Sequence, residues 1–452
     1  MLQTFLQMFR KDIYKKKNVI HFQWELEGCV NPDTGYYEKG HLDWLSDFHF
    51  YPVSKGDRIV CCNAGYCYGV ASYSEEIEHE LLYTYCYQKE ENWAKYRNDF
   101  EIDSLHQGRY IIPEDGWIRI AVKRFDGMNM TDKDIVYARE SIELQCKEKE
   151  YQKKVYFEPE IKNTIQTIRN KKKERNLVFG LMTDSHYVVN GGWEDTVANL
   201  RAVNEVTKFD AVIHLGDLTD GMVPLVITKE YASRVMQDLK KLGAPLYLAL
   251  GNHDSNYFRN NPEWMKEDEQ SEFYLKRQVP WYYVDFEEKK LRCIFLHSFN
   301  HREQVRYGFS MEEVEWVKEV FAQTSKDTKV IVFSHVPLLP EMHFWSKDIR
   351  NSGEMLCVLE KYMQQGGTIM AYIHGHNHAD QICYDKSFPI VSVGCAKCED
   401  FKDKKPKGSI TYDRKMRTVS QELWDVMIVD TDENRLEFVR FGAGEDRVIR
   451  KQ

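Results

Sequence analysis

LVFGLMTDSH, residues 177–186, joins an apolar run to an Asp-x-His triplet, and this pattern decides the fold. An apolar run of this length predicts a strand that is buried on both faces of a sheet. Similar runs at 211–215, 246–250, 329–333 and 368–373 are also followed by side chains that bind metals or move protons. The blocks after the runs are Asp184-Ser185-His186, Gly216-Asp217-Leu218-Thr219-Asp220, Gly251-Asn252-His253-Asp254, Ser334-His335 and Gly375-His376-Asn377-His378. Five strand ends therefore predict one site at the rim of a sheet.

The chemistry of these blocks indicates which metals they suit. Their side chains are carboxylates, imidazoles and one carboxamide, without a thiolate, which suits Mn, Fe, Zn or Mg rather than a Cys-bound structural zinc. Seven candidate ligands are too many for one tetrahedral ion, so the set favours two ions that share a carboxylate. Each block alone is weak evidence, because a short Asp-x-His triplet also occurs by chance. The ordered set of five favours a metal site.

The order of the blocks resembles the calcineurin-like metallophosphoesterase superfamily, whose pattern is D-x-H, G-D-x-x-D, G-N-H-D/E, H and G-H-x-H. The resemblance covers roughly residues 176–445, and no position of the pattern is missing. It implies two sets of metal ligands joined by one bridging carboxylate. These are Asp184, His186 and His378 for one ion, Asn252, His335 and His376 for the other, and Asp217 as the bridge. It also implies that His253 is the general acid and that Asp220 orients it.

The resemblance implies a dinuclear metal-dependent phosphoesterase, in which a hydroxide that bridges the two metal ions attacks the phosphate ester. Ser185 or Ser334 as a nucleophile is a less favoured alternative, because a histidine bound to metal cannot act as a general base. Protein Ser/Thr phosphatases of the superfamily carry an arginine where this chain has Gly221. A bare backbone does not replace a bidentate guanidinium, so we predict phosphodiester hydrolysis, with small phosphomonoesters as the second choice. Arg259 and Arg302 are candidate compensating cations.

Two other functions compete with the phosphodiesterase hypothesis. One is a non-catalytic phage-associated or envelope-associated binding protein that retains a phosphoesterase scaffold, and the other is a nuclease. The complete ligand set favours an enzyme, because a domain without catalytic demand tends to lose costly ligands. A formal net charge of −9 and a pI near 6.0 predict no general attraction to nucleic acid. The basic cluster at 402–407 is expected to be a solvated loop.

The elements around the blocks predict an α/β fold for residues 176–452, a four-layer α/β/β/α metallophosphoesterase sandwich. Helical spacing from Tyr231 to Leu242 ends at Gly243, and Ser310 with Glu313 predicts a capping box. Hairpins are predicted at 281–286 with 291–297 and at 424–429 with 436–441. These hairpins extend the parallel units into two packed sheets.

Residues 1–146 are rich in Tyr, Trp, Phe and Cys and predict an all-β sandwich with strands at 57–62, 66–73 and 110–122. They loosely resemble jelly-roll-like modules of phage and bacterial surface enzymes, which implies possible partners in glycans or the cell envelope. A packing or oligomerisation domain is the favoured alternative. Residues 147–175 are charged and predict a linker or an exposed helix.

The remaining features concern location and redox state. The amino terminus, residues 1–18, interrupts its apolar residues with Arg10, Lys11 and three consecutive lysines, so it does not predict a signal peptide. No segment is apolar enough to predict a transmembrane span. The 11 cysteines lack framework spacing, so we predict reduced thiols and a cytoplasmic protein. Cys395 and Cys398 form a lone C-x-x-C, which is weak evidence for zinc or redox chemistry.

Overall fold

The structure is a computed structural model that describes residues 19–31, 34–61, 66–75, 81–87, 96–97, 101–102, 108–124, 126–147, 151–189, 191–258, 261–345, 347–399 and 405–450. The predictions for the amino terminus, for Cys62, for Arg259 and for 402–404 lie outside the described residues. The chain divides into two compact units, Met1–Glu150 and Tyr151–Gln452.

The first unit is rich in β-strands that pair mostly antiparallel. Its strands are β1 (Val19–Ile20), β2 (Glu25–Leu26), β3 (Gly28–Val30), β4 (Tyr37–Lys39), β5 (Trp44–Ser46), β6 (Tyr51–Val53), β7 (Arg58–Cys61), β8 (Tyr66–Tyr73), β9 (Leu81–Tyr87), β10 (Tyr96–Arg97), β11 (Glu101–Ile102), β12 (Gly108–Ile111), β13 (Gly116–Arg124) and β14 (Ile142–Gln145). One sheet has the order β1-β14-β7-β12-β11, and the other has the order β10-β9-β8-β13-β5-β2 with β6 also paired to β13. Strands β3 and β4 pair separately. This confirms the predicted β-rich architecture.

One element of the first unit departs from the all-β prediction. Residues Asp132–Ser141 form a helix, α1, between β13 and β14. The Thr131 amide and hydroxyl both donate to the Asp134 carboxylate, at 2.8 and 2.6 Å, which satisfies the start of the helix. The Thr-x-x-Asp spacing was present in the sequence as a helix-start signal.

The second unit contains two six-stranded mixed sheets. Its strands are β15 (Leu177–Met182), β16 (Ala211–His214), β17 (Leu246–Leu248), β18 (Tyr282–Phe286), β19 (Leu291–Phe295), β20 (Lys329–Phe333), β21 (Thr368–His374), β22 (Gln381–Cys383), β23 (Ile390–Ser392), β24 (Leu423–Asp430), β25 (Arg435–Gly442) and β26 (Arg447–Arg450). The orders are β17-β16-β15-β24-β25-β26 and β18-β19-β20-β21-β23-β22. Strands β15, β16 and β17 are parallel, as are β19, β20, β21 and β23.

Helices and a shared core complete the second unit. The helices are α2 (Glu158–Lys171), α3 (Trp193–Thr207), α4 (Leu225–Lys240), α5 (Glu267–Gln270), α6 (Met311–Gln323) and α7 (Ser352–Gln364). Short 3-10 turns lie at Val155–Phe157, His253–Ser255, Glu287–Lys289, Pro340–Met342 and Val419–Gln421, and a π-turn lies at Ser271–Leu275. Phe179 and Ile213 of one sheet pack with Phe295 and Phe333 of the other in one buried cluster. The outer face of the second sheet packs with α6 and α7, as expected for α/β/β/α layers.

Two local predictions need correction. The stretch 147–175, predicted as a linker or an exposed helix, contains α2, which buries Ile161 and Ile168 and contacts α3 and β25, so from Tyr151 onward it is part of the second unit rather than a linker. The capping box at Ser310 is only half formed. Ser310 accepts from the Glu313 amide at 3.0 Å, but the buried Glu313 carboxylate accepts instead from the His297 amide at 2.7 Å. A tertiary contact has taken the place of the local one.

The described residues bear on two predictions, the lack of a transmembrane span and the reduced state of the cysteines. Within them, no helix is long and apolar enough to cross a membrane. The cysteines whose side chains the structure describes carry free thiols; they are Cys29, Cys67, Cys146, Cys293, Cys357, Cys383, Cys395 and Cys398.

Candidate metal centre

The strand ends bring the five blocks into one buried cluster. Main-chain hydrogen bonds tie them in pairs: the Asp184 amide donates to Gly216 O at 3.0 Å, and the Gly375 amide donates to His335 O at 3.0 Å. The two sheets are joined at the same place, because the His376 amide donates to Asp184 Oδ2 at 3.0 Å. The predicted convergence at the carboxyl ends of the strands is therefore present in the fold.

Several candidate ligands sit on left-handed backbone. Their φ values are +51° for Asp184, +39° for His186, +54° for Asp217, +68° for His376 and +52° for His378. This conformation costs a residue with a side chain roughly 1–2 kcal/mol. Strain concentrated at adjoining turns is characteristic of functional sites, where the surrounding structure enforces it.

The first group of candidate ligands contains Asp184, His186 and His378. Nε2 of His378 lies 3.1 Å from Asp184 Oδ1 and 3.1 Å from Nε2 of His186. His186 Nε2 is 3.7 Å from the same Asp184 oxygen. Two imidazole nitrogens bound to one divalent ion at about 2.1 Å stand roughly 3.0–3.4 Å apart, so this spacing fits a shared ion.

The second group contains Asn252, His335 and His376. Nε2 of His335 lies 3.2 Å from Asn252 Oδ1 and 3.2 Å from Nδ1 of His376. Asp217 faces both groups, because its Oδ2 is 3.2 Å from His335 Nε2 and 3.8 Å from His186 Nε2. The carboxylate predicted as the bridge therefore lies between the two groups.

The tautomers explain why these groups fit cations. Leu215 O can only accept, so at 2.9 Å it fixes the proton of His335 on Nδ1 and leaves a lone pair on Nε2. That lone pair faces Asn252 Oδ1, which is also an acceptor. In the first group, Nδ1 of His378 lies 2.7 Å from Glu399 Oε2, and Nδ1 of His186 lies 3.1 Å from Asp220 Oδ1. The Nε2 lone pairs thus point at one another, and a proton or a metal ion must lie between them.

The charges of the metal-free cluster also favour the binding of cations. Burial opposes the charged form of His186, but Asp184 and Asp220 outweigh it and raise the His186 pKa to about 10. Burial likewise opposes a charge on His335, yet Asp217 and Asp184 raise the His335 pKa to about 9. The carboxylates therefore draw protons onto the histidines, and divalent cations compete for the same positions.

The structure corrects the predicted role of Asp220. Nδ1 of His253 donates to the main-chain oxygen of Asp220 at 2.5 Å, not to its carboxylate. The Asp220 carboxylate instead faces His186 and Lys397, whose Nζ lies 3.1 and 3.2 Å from the two oxygens. Gly221 makes the His253 contact possible, because a Cβ there would lie 2.3 Å from His253 O.

His253 presents its Nε2 to the site. This atom is 3.9 Å from Asp217 Oδ2, and the ring packs on Phe258 with centroids 4.2 Å apart. Burial lowers the His253 pKa to about 4, so the imidazole is neutral at pH 7 without substrate. A nitrogen of His253 also lies within 4.8 Å of ligand atoms of His186 and Asp217, so the geometry alone does not separate an acid from a ligand.

Three residues without a predicted role support the cluster. Asp254 is buried, and its carboxylate accepts from the amides of Asp217, Leu218 and Gly251 at 2.9, 2.9 and 2.8 Å. Lys397 and Glu399 follow β23, an apolar strand, so the pattern of polar residues after a buried strand marks them too. Of that segment, only Cys395 and Cys398 form a short motif.

The remaining candidates have clear positions. The Ser185 hydroxyl donates to Leu218 O at 3.0 Å, and His214 Nε2 lies 2.9 Å from it, while Ser334 is completely buried. Ser185 is therefore engaged rather than poised as a nucleophile. Cys395, without Cys398, lies with His378 and Glu399 in a further group of possible ligand atoms.

Part of the second unit is similar to known proteins. Residues 177–380 match the family model described as calcineurin-like phosphoesterase. A manganese-dependent ADP-ribose/CDP-alcohol diphosphatase of Xenopus laevis is 30% identical over 81 residues, which is 18% of this chain and 22% of the relative. The chain thus matches less than a quarter of that relative's length.

Two solved structures are similar at low identity. A dimetal phosphatase from Danio rerio is 16% identical with a TM-score of 0.43, over 61% of this chain and 99% of that one. A purple acid phosphatase from yellow lupin (Lupinus luteus) seeds is 13% identical with a TM-score of 0.43, over 89% of this chain and 73% of that one. The match to the calcineurin-like phosphoesterase family model, residues 177–380, covers a little under half of the chain and lies within the second unit.

Proposed function

We propose that the protein hydrolyses phosphodiesters with two divalent ions, and that the activity resides in the second unit. The proposal rests on two clusters of histidine Nε2 atoms that carry lone pairs and lie around Asp217. One cluster contains His186 and His378, and the other contains His335. Both clusters lie within the second unit. The division of labour between the units, and a glycan or envelope contact through the first, stay predictions.

The ligand sets follow from the two groups. Asp184, His186 and His378 would hold one ion, Asn252, His335 and His376 would hold the other, and Asp217 would be shared by both sets. When bound, the ions supply a nucleophile near neutral pH and neutralise the phosphoryl oxygens. Mn, Fe, Zn and Mg all suit these ligands.

His253 has the position of a proton donor to the leaving group. Its Nδ1 proton is held by Asp220 O, so only Nε2 exchanges protons at the site. An anionic substrate beside Nε2 favours the charged imidazolium over the neutral form that burial imposes. His253 therefore gains its proton with the substrate and releases it to the departing oxygen.

A rim of aromatic and basic side chains adjoins the second ion position and His253. The Tyr307 ring lies 5.0 Å from the His376 ring, and the preceding Arg306 extends its guanidinium over Tyr257 at 5.1 Å. Tyr257 in turn precedes Phe258, whose ring packs on His253. The rim thus reaches from the second ion position to the proposed proton donor.

Arg302 belongs to the same rim. Its guanidinium lies 4.9 Å from the Trp264 ring, and His301 packs between Trp264 and Tyr257. Arg302 and Arg306 are exposed, and within the described part of the chain neither forms a salt bridge with a carboxylate. Two cations on aromatic supports attract a substrate that carries charge beyond the reacting phosphate. This supports a diester, or a diphosphate linkage such as the substrates in the name of the Xenopus laevis relative.

Hydrolysis of three substrates tests the proposal. With Mn²⁺ added, bis(p-nitrophenyl) phosphate should be cleaved faster than p-nitrophenyl phosphate, and ADP-ribose tests the diphosphate linkage. Arg302→Gln with Arg306→Gln should raise KM for ADP-ribose roughly 10-fold or more and leave KM for p-nitrophenyl phosphate nearly unchanged. Arg292→Gln is the matched control, because Arg292 pairs with Asp285 on a hairpin that carries none of the candidate ligands.

The outcomes separate the competing functions. No turnover of any of the three substrates with metal bound would contradict the phosphoesterase proposal and favour a binding protein. Cleavage of single-stranded DNA in preference to all three would favour a nuclease. Faster turnover of p-nitrophenyl phosphate would overturn the diester preference alone.

A further inference from the structure

Lys397 lies between two carboxylates that each face one histidine of the first ligand group. Its Nζ is 3.1 and 3.2 Å from the two oxygens of Asp220 and 2.9 Å from Glu399 Oε1. Asp220 faces Nδ1 of His186, and Glu399 faces Nδ1 of His378. One ammonium thus connects the supports of both imidazoles.

Among the residues that the structure describes, no carboxylate supports the histidines of the second ligand group in this way. His335 donates through Nδ1 to the neutral carbonyl of Leu215, and Nε2 of His376 has no hydrogen-bond partner among the described residues. Asn252 brings a neutral amide. Carboxylates behind a histidine raise its basicity and fix its ring, so the two ion positions are chemically unequal.

The ammonium of Lys397 offsets the repulsion between these two neighbouring carboxylates. The side chains of Asp220 and Glu399 are only 7% and 16% exposed, and like charges at such depth repel and are poorly hydrated. Without the ammonium, the two carboxylates would repel each other and turn apart. A histidine of the first ligand group would then lose the carboxylate that faces its Nδ1.

We propose that Lys397 is a positioning residue that makes the Asp184–His186–His378 group the tighter of two unequal metal positions, through Asp220 and Glu399. It acts through the histidines rather than on the substrate. The inference rests on the proposed two-ion function, but metal binding can be measured without any hydrolysis.

Calorimetric titration of Mn²⁺ into the chelator-treated full chain tests the proposal. The unaltered protein should bind two ions in unequal steps. Lys397→Met should weaken the tight step roughly 10-fold to 100-fold and change the weak step much less. Lys397→Arg, which retains the charge and can reach both carboxylates, should restore most of the tight step.

Matched variants show which ligand group binds the ion in each of the two binding steps. Asn252→Ala removes a ligand of the second group and should weaken only the weak step. Lys318→Met removes an exposed lysine that pairs with Glu315 on α6 and should change neither step. If Lys397→Met does not fold, Glu399→Gln carries the test, because it removes the charge with little change of shape and should also weaken the tight step.

Hydrolysis provides a second readout. Activity of Lys397→Met should approach that of the unaltered protein at high Mn²⁺, so the variant raises the metal requirement without lowering the maximal kcat. Two equal binding steps in the unaltered protein, or a Lys397→Met variant that binds Mn²⁺ as tightly as the parent, would overturn the inference. Because calorimetry needs no substrate, this result stands apart from any failure of the hydrolysis assays.

Discussion

His253 donates through Nδ1 to the main-chain oxygen of Asp220 at 2.5 Å, while the carboxylate of Asp220 lies 3.1 Å from Nδ1 of His186. One residue therefore contacts two histidines through two different atoms. The carbonyl serves the candidate proton donor, and the carboxylate serves a candidate metal ligand. A side-chain substitution at Asp220 removes the second contact and retains the first.

The role of His253 predicts a separation of metal binding from turnover. His253→Ala should leave the metal content unchanged and lower kcat about 100-fold or more for substrates with poor leaving groups. Esters of p-nitrophenol should suffer less, because that leaving group needs little protonation. Metal content by elemental analysis and kcat across a leaving-group series check this, and loss of metal would instead make His253 a ligand.

Asp220→Asn should weaken metal binding without changing the leaving-group dependence, which is the reverse of the effect expected for His253→Ala. The amide keeps the size of the side chain but loses the charge that faces His186 and Lys397. We expect Mn²⁺ affinity to fall roughly 10-fold to 100-fold, while the leaving-group dependence of kcat at saturating metal stays that of the parent. A changed leaving-group dependence with normal metal affinity would restore the original assignment of Asp220 to His253.

The fold of the second unit followed closely from its sequence. The predicted strand at 177–182 coincides with β15, and the one at 329–333 coincides with β20. Buried parallel strands produce long apolar runs, so their periodicity is easily recognised. Helix α2 was less clear, because its buried face is narrow and its exposed face carries the charges that suggested a linker.

The ligand residues of the site followed from motifs, but their supports did not. Asp254 belongs to a recognised block, yet only the folded chain shows its carboxylate accepting from three amides. Glu399 reaches His378 across 21 residues, and Lys397 reaches Asp220 across 177 residues. Such contacts depend on how the strands are placed in space, which short motifs do not encode.

Truncation of the Asp254 side chain is expected to lower the stability of the fold strongly. Asp254→Ala leaves the buried amides of Asp217, Leu218 and Gly251 without their acceptor, and each unsatisfied buried group costs roughly 1–3 kcal/mol. We expect the free energy of unfolding to fall by about 3 kcal/mol or more, as measured by chemical denaturation. Asp385→Ala, at an exposed turn, is the control and should change stability by less than about 0.5 kcal/mol.

The raised histidine pKa values predict how pH affects the metal-free protein. The pKa of His186 rises to about 10 and that of His335 to about 9, against about 6.5 in the unfolded chain. The folded state then binds more protons than the unfolded state between those values. The stabilisation is complete below pH 6.5 and is lost as pH rises through about 9 and 10.

Thermal unfolding with a chelator present should therefore show Tm falling from pH 7 to pH 9. With Mn²⁺ bound, the ions replace these protons, and the stabilisation by metal should grow over the same interval. A metal-free Tm that rises across this range would contradict the assignment of protonated histidines to the cluster.

Stepwise addition of Mn²⁺ to the metal-free chain, with hydrolysis of bis(p-nitrophenyl) phosphate followed at each step, tests the central claim most directly. We predict that activity is absent without metal and rises steeply only as the second ion binds, and that Asp217→Asn abolishes both the second binding step and the activity. Full activity with one ion or none, or an Asp217→Asn variant that binds two ions and hydrolyses the diester normally, would contradict a two-ion site bridged by Asp217.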